Sequence, residues 1–119
     1  MDEMSDFHHL YIKGASTYLT VLWRCLAALK EKPDYLRAME VARRTAHNLK
    51  GSSWTMRDAA CYLDGLPPDP RFDRAAAAAE ALETYLDTVM SDDAAFDLGA
   101  LTAHIVGLEL AVDGTLEEE

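Results

Sequence analysis

Hydrophobic residues recur along most of this chain at intervals of three and four, the spacing that places them on one face of an α-helix. No segment alternates between apolar and polar residues in the way that a half-buried β-strand does. Prolines, glycines and short polar stretches divide the pattern into predicted helices. The four longer ones are predicted over about residues 15–31, 34–56, 73–90 and 94–112. Shorter helices are predicted before Gly14 and over residues 58–66, where Gly65 is the expected stop.

These helices, joined by short loops, predict an all-α fold: an antiparallel up-down four-helix bundle with one or two additional short helices. Asp34 and Asp73 are the predicted caps of the second and third long helices. Residues 67–70, with three prolines, are predicted to form a rigid surface loop that is too short to link two domains. We expect a single domain over residues 1–119, with residues 1–6 and 114–119 frayed.

The predicted central helix, over residues 34–56, has two different faces. Its predicted core residues are Met39, Ala42, Ala46, Leu49, Ser53 and Met56. His47 lies nearly opposite them, with Arg43 and Arg44 one turn before it and Lys50 and Gly51 one turn after it. The imidazole is therefore predicted to project into solvent among three cations.

A solvent-exposed histidine usually has no special role, but these neighbours favour one. Nearby cations disfavour protonation of the ring, which leaves a nitrogen lone pair for reaction, and they stabilise a phosphoryl group on that nitrogen. Gly51, in mid-helix, costs about 0.5–1 kcal/mol relative to alanine, and close approach of another surface is one reason to tolerate it. Trp54 lies on the same side as His47 and indicates a partner surface. For Leu36, also on that side, packing within the protein is the preferred interpretation.

One stretch of the central helix matches a known signature. It reads His47-Asn48-Leu49-Lys50-Gly51-Ser52-Ser53. It resembles the His-x-Leu-Lys-Gly-Ser-Ser/Ala signature of histidine-containing phosphotransfer (HPt) domains of bacterial and plant phosphorelays, and the upstream Thr45, Ala46 and Asp34 fit as well. The resemblance covers most of the chain. It implies that His47 accepts a phosphoryl group, that Lys50 interacts with it, and that Gly51 leaves space for a docking receiver domain.

Two features depart from that family. Arg57 stands where the family often has a second glycine, and the proline-rich loop interrupts a region where the family commonly has a longer helix. The rim of the docking surface is therefore expected to differ from the family pattern.

The resemblance implies response-regulator receiver domains, a hybrid histidine kinase, or both, as partners. It implies a phosphocarrier rather than an enzyme, with no cofactor of its own, since Mg²⁺ belongs to the acidic pocket of the receiver. No glycine-rich phosphate loop for ATP is present.

The net charge of −10 argues against nucleic acid or an anionic membrane as partner. Residues 30–57 nevertheless carry seven basic and three acidic residues, a net +4 that suits an acidic pocket.

An alternative remains within the same fold: a non-transferring adaptor or inhibitor that binds a histidine kinase or receiver through the same helix face. A metal-dependent hydrolase is disfavoured, because the Glu-x-x-His and His-Glu-x-x-His spacings are absent, and no metal site is predicted.

We interpret His8 and His9 as surface residues, and His104 as structural. Cys25 and Cys61 are predicted to be buried or half-buried fillers in a reducing cytoplasm. No signal peptide or membrane-spanning run is present, so a cytoplasmic location is expected. A free-standing carrier and an excised domain both fit the sequence.

Overall fold

A computed structural model describes residues 3–91 and 96–116, with side chains from Asp6 onward except those of residues 60 and 64. It contains four helices, and no strand occurs within these ranges, so the all-α prediction is confirmed. The helices are α1 (Glu3–Glu31), α2 (Leu36–Asp64), α3 (Pro70–Ser91) and α4 (Leu98–Gly114). Each helix packs against its neighbour in sequence, and α4 also packs against α1. None of the helices described has the length and apolar character that crossing a membrane requires.

The core is formed by one buried stripe from each helix. On α2 the predicted core residues are all buried, which confirms that prediction. The other helices contribute Tyr11, Ala15, Leu19, Leu22, Cys25 and Leu29 from α1, Phe72, Ala75, Ala79, Leu82, Leu86 and Val89 from α3, and Leu101, Ile105, Leu108 and Val112 from α4. The alanines of α3 are small enough to let neighbouring helices approach closely. Both cysteines are free, with Cys25 buried and Cys61 half-buried, as predicted.

The first helix is longer than the sequence pattern indicates. α1 runs without a break from Glu3 through Gly14, so the predicted division into a short helix and a longer one is wrong. Tyr11 and Ala15, on either side of this glycine, are both buried in the core. Their packing outweighs the propensity cost of one glycine in a helix, which is about 1 kcal/mol.

The second helix also absorbs a predicted short one. α2 continues past Met56 to Asp64, so the separate helix over residues 58–66 is wrong, and no additional short helix occurs in the described ranges. Gly65 ends α2 with a left-handed φ of 67°, and its N–H donates to the Cys61 carbonyl at 3.2 Å. The predicted glycine stop is thus confirmed, because this conformation favours a residue without a Cβ.

The starts of α2 and α3 differ from the predicted ones. α2 begins at Leu36, and its first carbonyl to accept helical hydrogen bonds is that of Tyr35, so Asp34 is not its cap. α3 begins at Pro70, where a proline is well tolerated because no N–H is needed. The Asp69 carboxylate accepts the Arg71 backbone N–H at 2.9 Å and therefore caps α3 in place of the predicted residue, Asp73.

The last helix begins later than predicted, at Leu98. Asp97 is its N-cap, with an extended backbone and a side chain that accepts the Gly99 N–H at 2.9 Å. The predicted start of this helix, at about residue 94, lies outside the described residues. α4 runs through Gly114, slightly beyond the predicted end near Val112, and Thr115 is its C-cap.

Candidate functional site

His47 lies in the middle of α2, on the side away from the core. Its side chain is 60% exposed, whereas Ala46 and Leu49 beside it are completely buried. The predicted exposure of the imidazole is therefore confirmed. It is a direct result of the helical period, because a residue opposite a buried stripe must face solvent.

A carboxylate from α3 reaches the histidine. Oε2 of Glu83 lies 2.8 Å from Nδ1 of His47, and Oε1 of the same carboxylate accepts a hydrogen bond from Nζ of Lys50 at 2.6 Å. Glu83 and Lys50 are largely covered, with side-chain exposures of 12% and 14%. Glu83 could not be predicted from the sequence, since it lies 36 residues from His47 and belongs to no local motif.

This contact distinguishes the two ring nitrogens of His47. A carboxylate accepts hydrogen bonds, so the neutral ring bound to Glu83 carries its proton on Nδ1. Nε2 then holds the lone pair, and among the described residues it has no hydrogen-bond partner. Nε2 is therefore the ring nitrogen that is available for a further contact.

Glu83 is charged at neutral pH. Partial burial by itself raises the pKa of its carboxyl, but the hydrogen bonds from Lys50 and His47 outweigh that effect and hold the pKa below the ordinary value. The result is a fixed negative charge beside the ring.

The expectation of three cations around His47 needs correction. Arg43 forms an ion pair with Asp87 of α3, at 3.4 Å between Nε and Oδ1, and Lys50 is bound to Glu83. Arg44 is exposed to solvent. The surface around the histidine is thus an alternation of cations from α2 and carboxylates from α3, which only the packing of the two helices produces.

Gly51 has an exposed position one turn after His47. A Cβ built on this residue meets no atom of the described residues within 4 Å, apart from immediate neighbours and the local helix backbone. Packing within the protein therefore does not explain a glycine here. The surface of α2 one turn after His47 is therefore open at this position.

Trp54 and an apolar cavity adjoin the same face. Trp54 is 39% exposed, as predicted, whereas Leu36 is 53% exposed, so the preferred interpretation that Leu36 is packed is wrong. An open cavity of about 480 Å³ lies beside Trp54. Its lining includes Phe7, Gly51, Met56, Tyr62 and Leu63. This cavity extends the exposed surface from the histidine toward the C-terminal end of α2.

The other histidines lie elsewhere. His8 is half-buried rather than on the surface, with its ring edge-on to Phe72 at 5.5 Å and its Nε2 3.4 Å from the Thr115 hydroxyl. His104 packs on Tyr85 at 5.2 Å between ring centroids, which fits a structural role. Within the described ranges, no three His, Cys, Asp or Glu side chains are grouped as metal ligands would be.

Comparison of this chain with protein-family models, with curated proteins and with solved structures finds no match. A functional assignment therefore depends on the motif around His47 and on the geometry that surrounds it.

Proposed function

We propose that this protein is a histidine phosphotransfer protein of a two-component phosphorelay, which carries a phosphoryl group between receiver-domain aspartates on His47. The observation that carries the proposal is the exposed imidazole, whose Nδ1 is bound to Glu83 while Lys50 binds the same carboxylate. This arrangement fixes one ring nitrogen and leaves the other available, as a phosphoacceptor requires.

The proposed step is an in-line displacement. The Nε2 lone pair of His47 attacks the phosphorus of a receiver aspartyl phosphate, a nitrogen–phosphorus bond forms, and the bond from phosphorus to the aspartate oxygen breaks. The aspartate leaves as a carboxylate with the electron pair of that bond. Nδ1 keeps its proton, and Glu83 stabilises the positive charge that develops on the ring. The reverse transfer takes the same path.

Lys50 and Glu83 have separate tasks in this scheme. The ammonium of Lys50 partly offsets the negative charge of the phosphoryl oxygens. Glu83 orients the ring through Nδ1, which directs Nε2 outward. Mg²⁺ belongs to the receiver, so the carrier supplies no metal ligand of its own and binds no ATP.

We further propose an antiparallel up-down bundle as the fold. Contacts between α2 and α3 support it: Arg57 pairs with Asp73, Lys50 with Glu83, and Arg43 with Asp87. Residue numbers fall along α2 as they rise along α3, which is the order of antiparallel neighbours. The Tyr11–Ser53 hydrogen bond supports the same arrangement for α1 and α2, because it joins the first half of α1 to the second half of α2 across a short connection.

The proposed partners are receiver domains, a hybrid histidine kinase, or both, in the cytoplasm. Their acidic phosphorylation pocket suits the positive stretch over residues 30–57, to which the exposed Arg44 belongs. Gly51 supplies the room for close docking. Two free cysteines are compatible with a reducing compartment.

The deciding experiment is phosphotransfer from a radiolabelled phospho-receiver in the presence of Mg²⁺. Wild-type protein should acquire label that resists alkali and is lost in acid, and His47→Gln should acquire none. His104→Gln is the matched control, because His104 comes after the same Thr-Ala dipeptide on another helix and should leave labelling intact. If receivers bind but transfer no label, the non-transferring adaptor takes the place of the phosphocarrier.

A further inference from the structure

Trp54 lies between two cations on the exposed side of α2. Nζ of Lys50, one turn before it, is 5.3 Å from the centroid of the indole ring. The guanidinium carbon of Arg57, one turn after it, is 6.0 Å from the same centroid. Both distances are within the range in which a cation is attracted to the face of a tryptophan ring. Two cations thus contact the indole.

Arg57 is itself fixed by two carboxylates. Its Nε and Nη2 donate to the two oxygens of Asp58, at 2.9 and 3.2 Å, and its Nη1 donates to Asp73 of α3 at 3.1 Å. The bidentate pair sets the plane of the guanidinium, and the third contact ties it to the next helix. Hydrogen bonds to Asp58 and then to Asp73 raise the pKa of Arg57 further above its ordinary value.

The position of Trp54 makes this fixation relevant to docking. Trp54 lies two helical turns after His47, about 10 Å along the axis. It also lines the cavity of about 480 Å³, together with Gly51. A partner that covers both His47 and this cavity must contact the indole. A side chain that is ordered before binding loses less rotational freedom on binding.

We propose that Arg57 is a positioning residue that holds Trp54 in the orientation a receiver domain contacts, and thereby strengthens docking without taking part in phosphoryl transfer. This inference rests on the proposed function.

The contact is tested first in the free protein. A Trp23→Phe background leaves Trp54 as the only tryptophan, since the chain has two. In this background Arg57→Gln should increase acrylamide quenching of Trp54 and lower its fluorescence anisotropy. Arg57→Lys keeps the positive charge but loses the planar guanidinium. Its acrylamide quenching and anisotropy should therefore lie between those of Arg57→Gln and those of the Trp23→Phe background. Arg24→Gln, an equal charge change at an exposed position of α1, is the control.

Equal quenching and anisotropy in Arg57→Gln and the control would overturn the positioning role. Circular dichroism checks that each variant is folded.

Docking is tested by titration with the receiver domain that binds the parent protein most tightly. Arg57→Gln should raise Kd, and KM for the phospho-receiver, by about three- to tenfold, with kcat within about twofold of the control. A lower kcat at unchanged KM, or an unchanged Kd, contradicts the inference. If the parent protein binds receivers but accepts no label, the phosphocarrier proposal is refuted. The comparison of Kd values then tests the docking role of Arg57 by itself. If the parent protein binds no receiver domain, both the phosphocarrier function and the docking role of Arg57 are overturned.

Discussion

Nδ1 of His47 and Oε2 of Glu83 are 2.8 Å apart, although the two residues belong to different helices and are separated by 36 positions. This contact leaves Nε2 without a hydrogen-bond partner among the described residues and places a negative charge next to the ring. It joins the exposed histidine to α3, so that the ring is held by two helices.

Replacement of Glu83 tests the importance of that contact. Glu83→Gln keeps the shape of the side chain but removes the charge that stabilises the ring during transfer. We expect the transfer rate to fall by at least about tenfold, because an orienting carboxylate beside a catalytic histidine is often worth more than this. Rapid-quench measurement of label on His47 gives the rate. Asp87→Asn, which removes a carboxylate of α3 paired with Arg43, is the control; an equal loss in both variants would contradict a specific role for Glu83.

Gly51→Ala should separate stability from docking. Because none of the described residues packs within 4 Å of the added Cβ, apart from chain neighbours and the local helix backbone, the substitution should raise the free energy of unfolding by about 0.5–1 kcal/mol. The same methyl group should weaken receiver binding. Gly107→Ala is the matched control, since this mid-helix glycine of α4 is equally open. It should stabilise the protein to a similar degree and leave binding unchanged. Urea denaturation and receiver titration measure the two effects, and unchanged binding in Gly51→Ala would argue against close docking there.

The buried hydrogen bond between Tyr11 and Ser53 should contribute measurably to stability. The Ser53 hydroxyl donates to the Leu49 carbonyl at 2.8 Å, so the Tyr11 hydroxyl must be the donor in the 2.9 Å contact between the two side chains. We expect a coupling free energy of about 0.5–1.5 kcal/mol in a double-mutant cycle of Tyr11→Phe and Ser53→Ala. The cycle cancels the difference in helix propensity between serine and alanine. Simple additivity of the two substitutions in urea denaturation would show that this bond contributes nothing.

His8 should make stability depend on pH. Burial lowers its pKa below 6.5, Arg71 lowers it further, the charge of His9 acts in the same direction, and Asp69 opposes them. The unfolded chain therefore takes up this proton at higher pH than the folded protein does. The stability contributed by the neutral ring is complete above the ordinary histidine pKa and decreases as pH falls below it.

The measurement is the free energy of unfolding at about pH 7.5 and 5.5, on either side of the ordinary histidine pKa. Stability should fall between these values, and it should fall less in His8→Gln than in the wild type. His9→Gln removes an exposed imidazole next to it and serves as the control. A decrease in His8→Gln as large as in the wild type would contradict the prediction.

Local sequence was sufficient to predict the helical period and its direct consequences. The buried stripe of α2, the exposure of His47 opposite it and the end of α2 at Gly65 all depend on residues within one or two turns of each other. Such relationships are set by the geometry of a single helix, and they can be read before any packing is known.

Helix boundaries were less predictable, because packing competes with local propensity. Gly14 ends no helix, since the core contacts of Tyr11 and Ala15 on either side hold α1 together. Asp69 rather than Asp73 caps α3, because Pro70 already fits the first helical position, and Asp73 instead pairs with Arg57.

The sequence by itself determined which residue is exposed on α2 and which neighbours surround it there, because the helical repeat decides both. Only the tertiary structure decided which atoms of α3 meet that residue. The register between α2 and α3 brings Glu83 to His47 and Asp87 to Arg43, and that register results from the packing of two buried stripes rather than from any local signal.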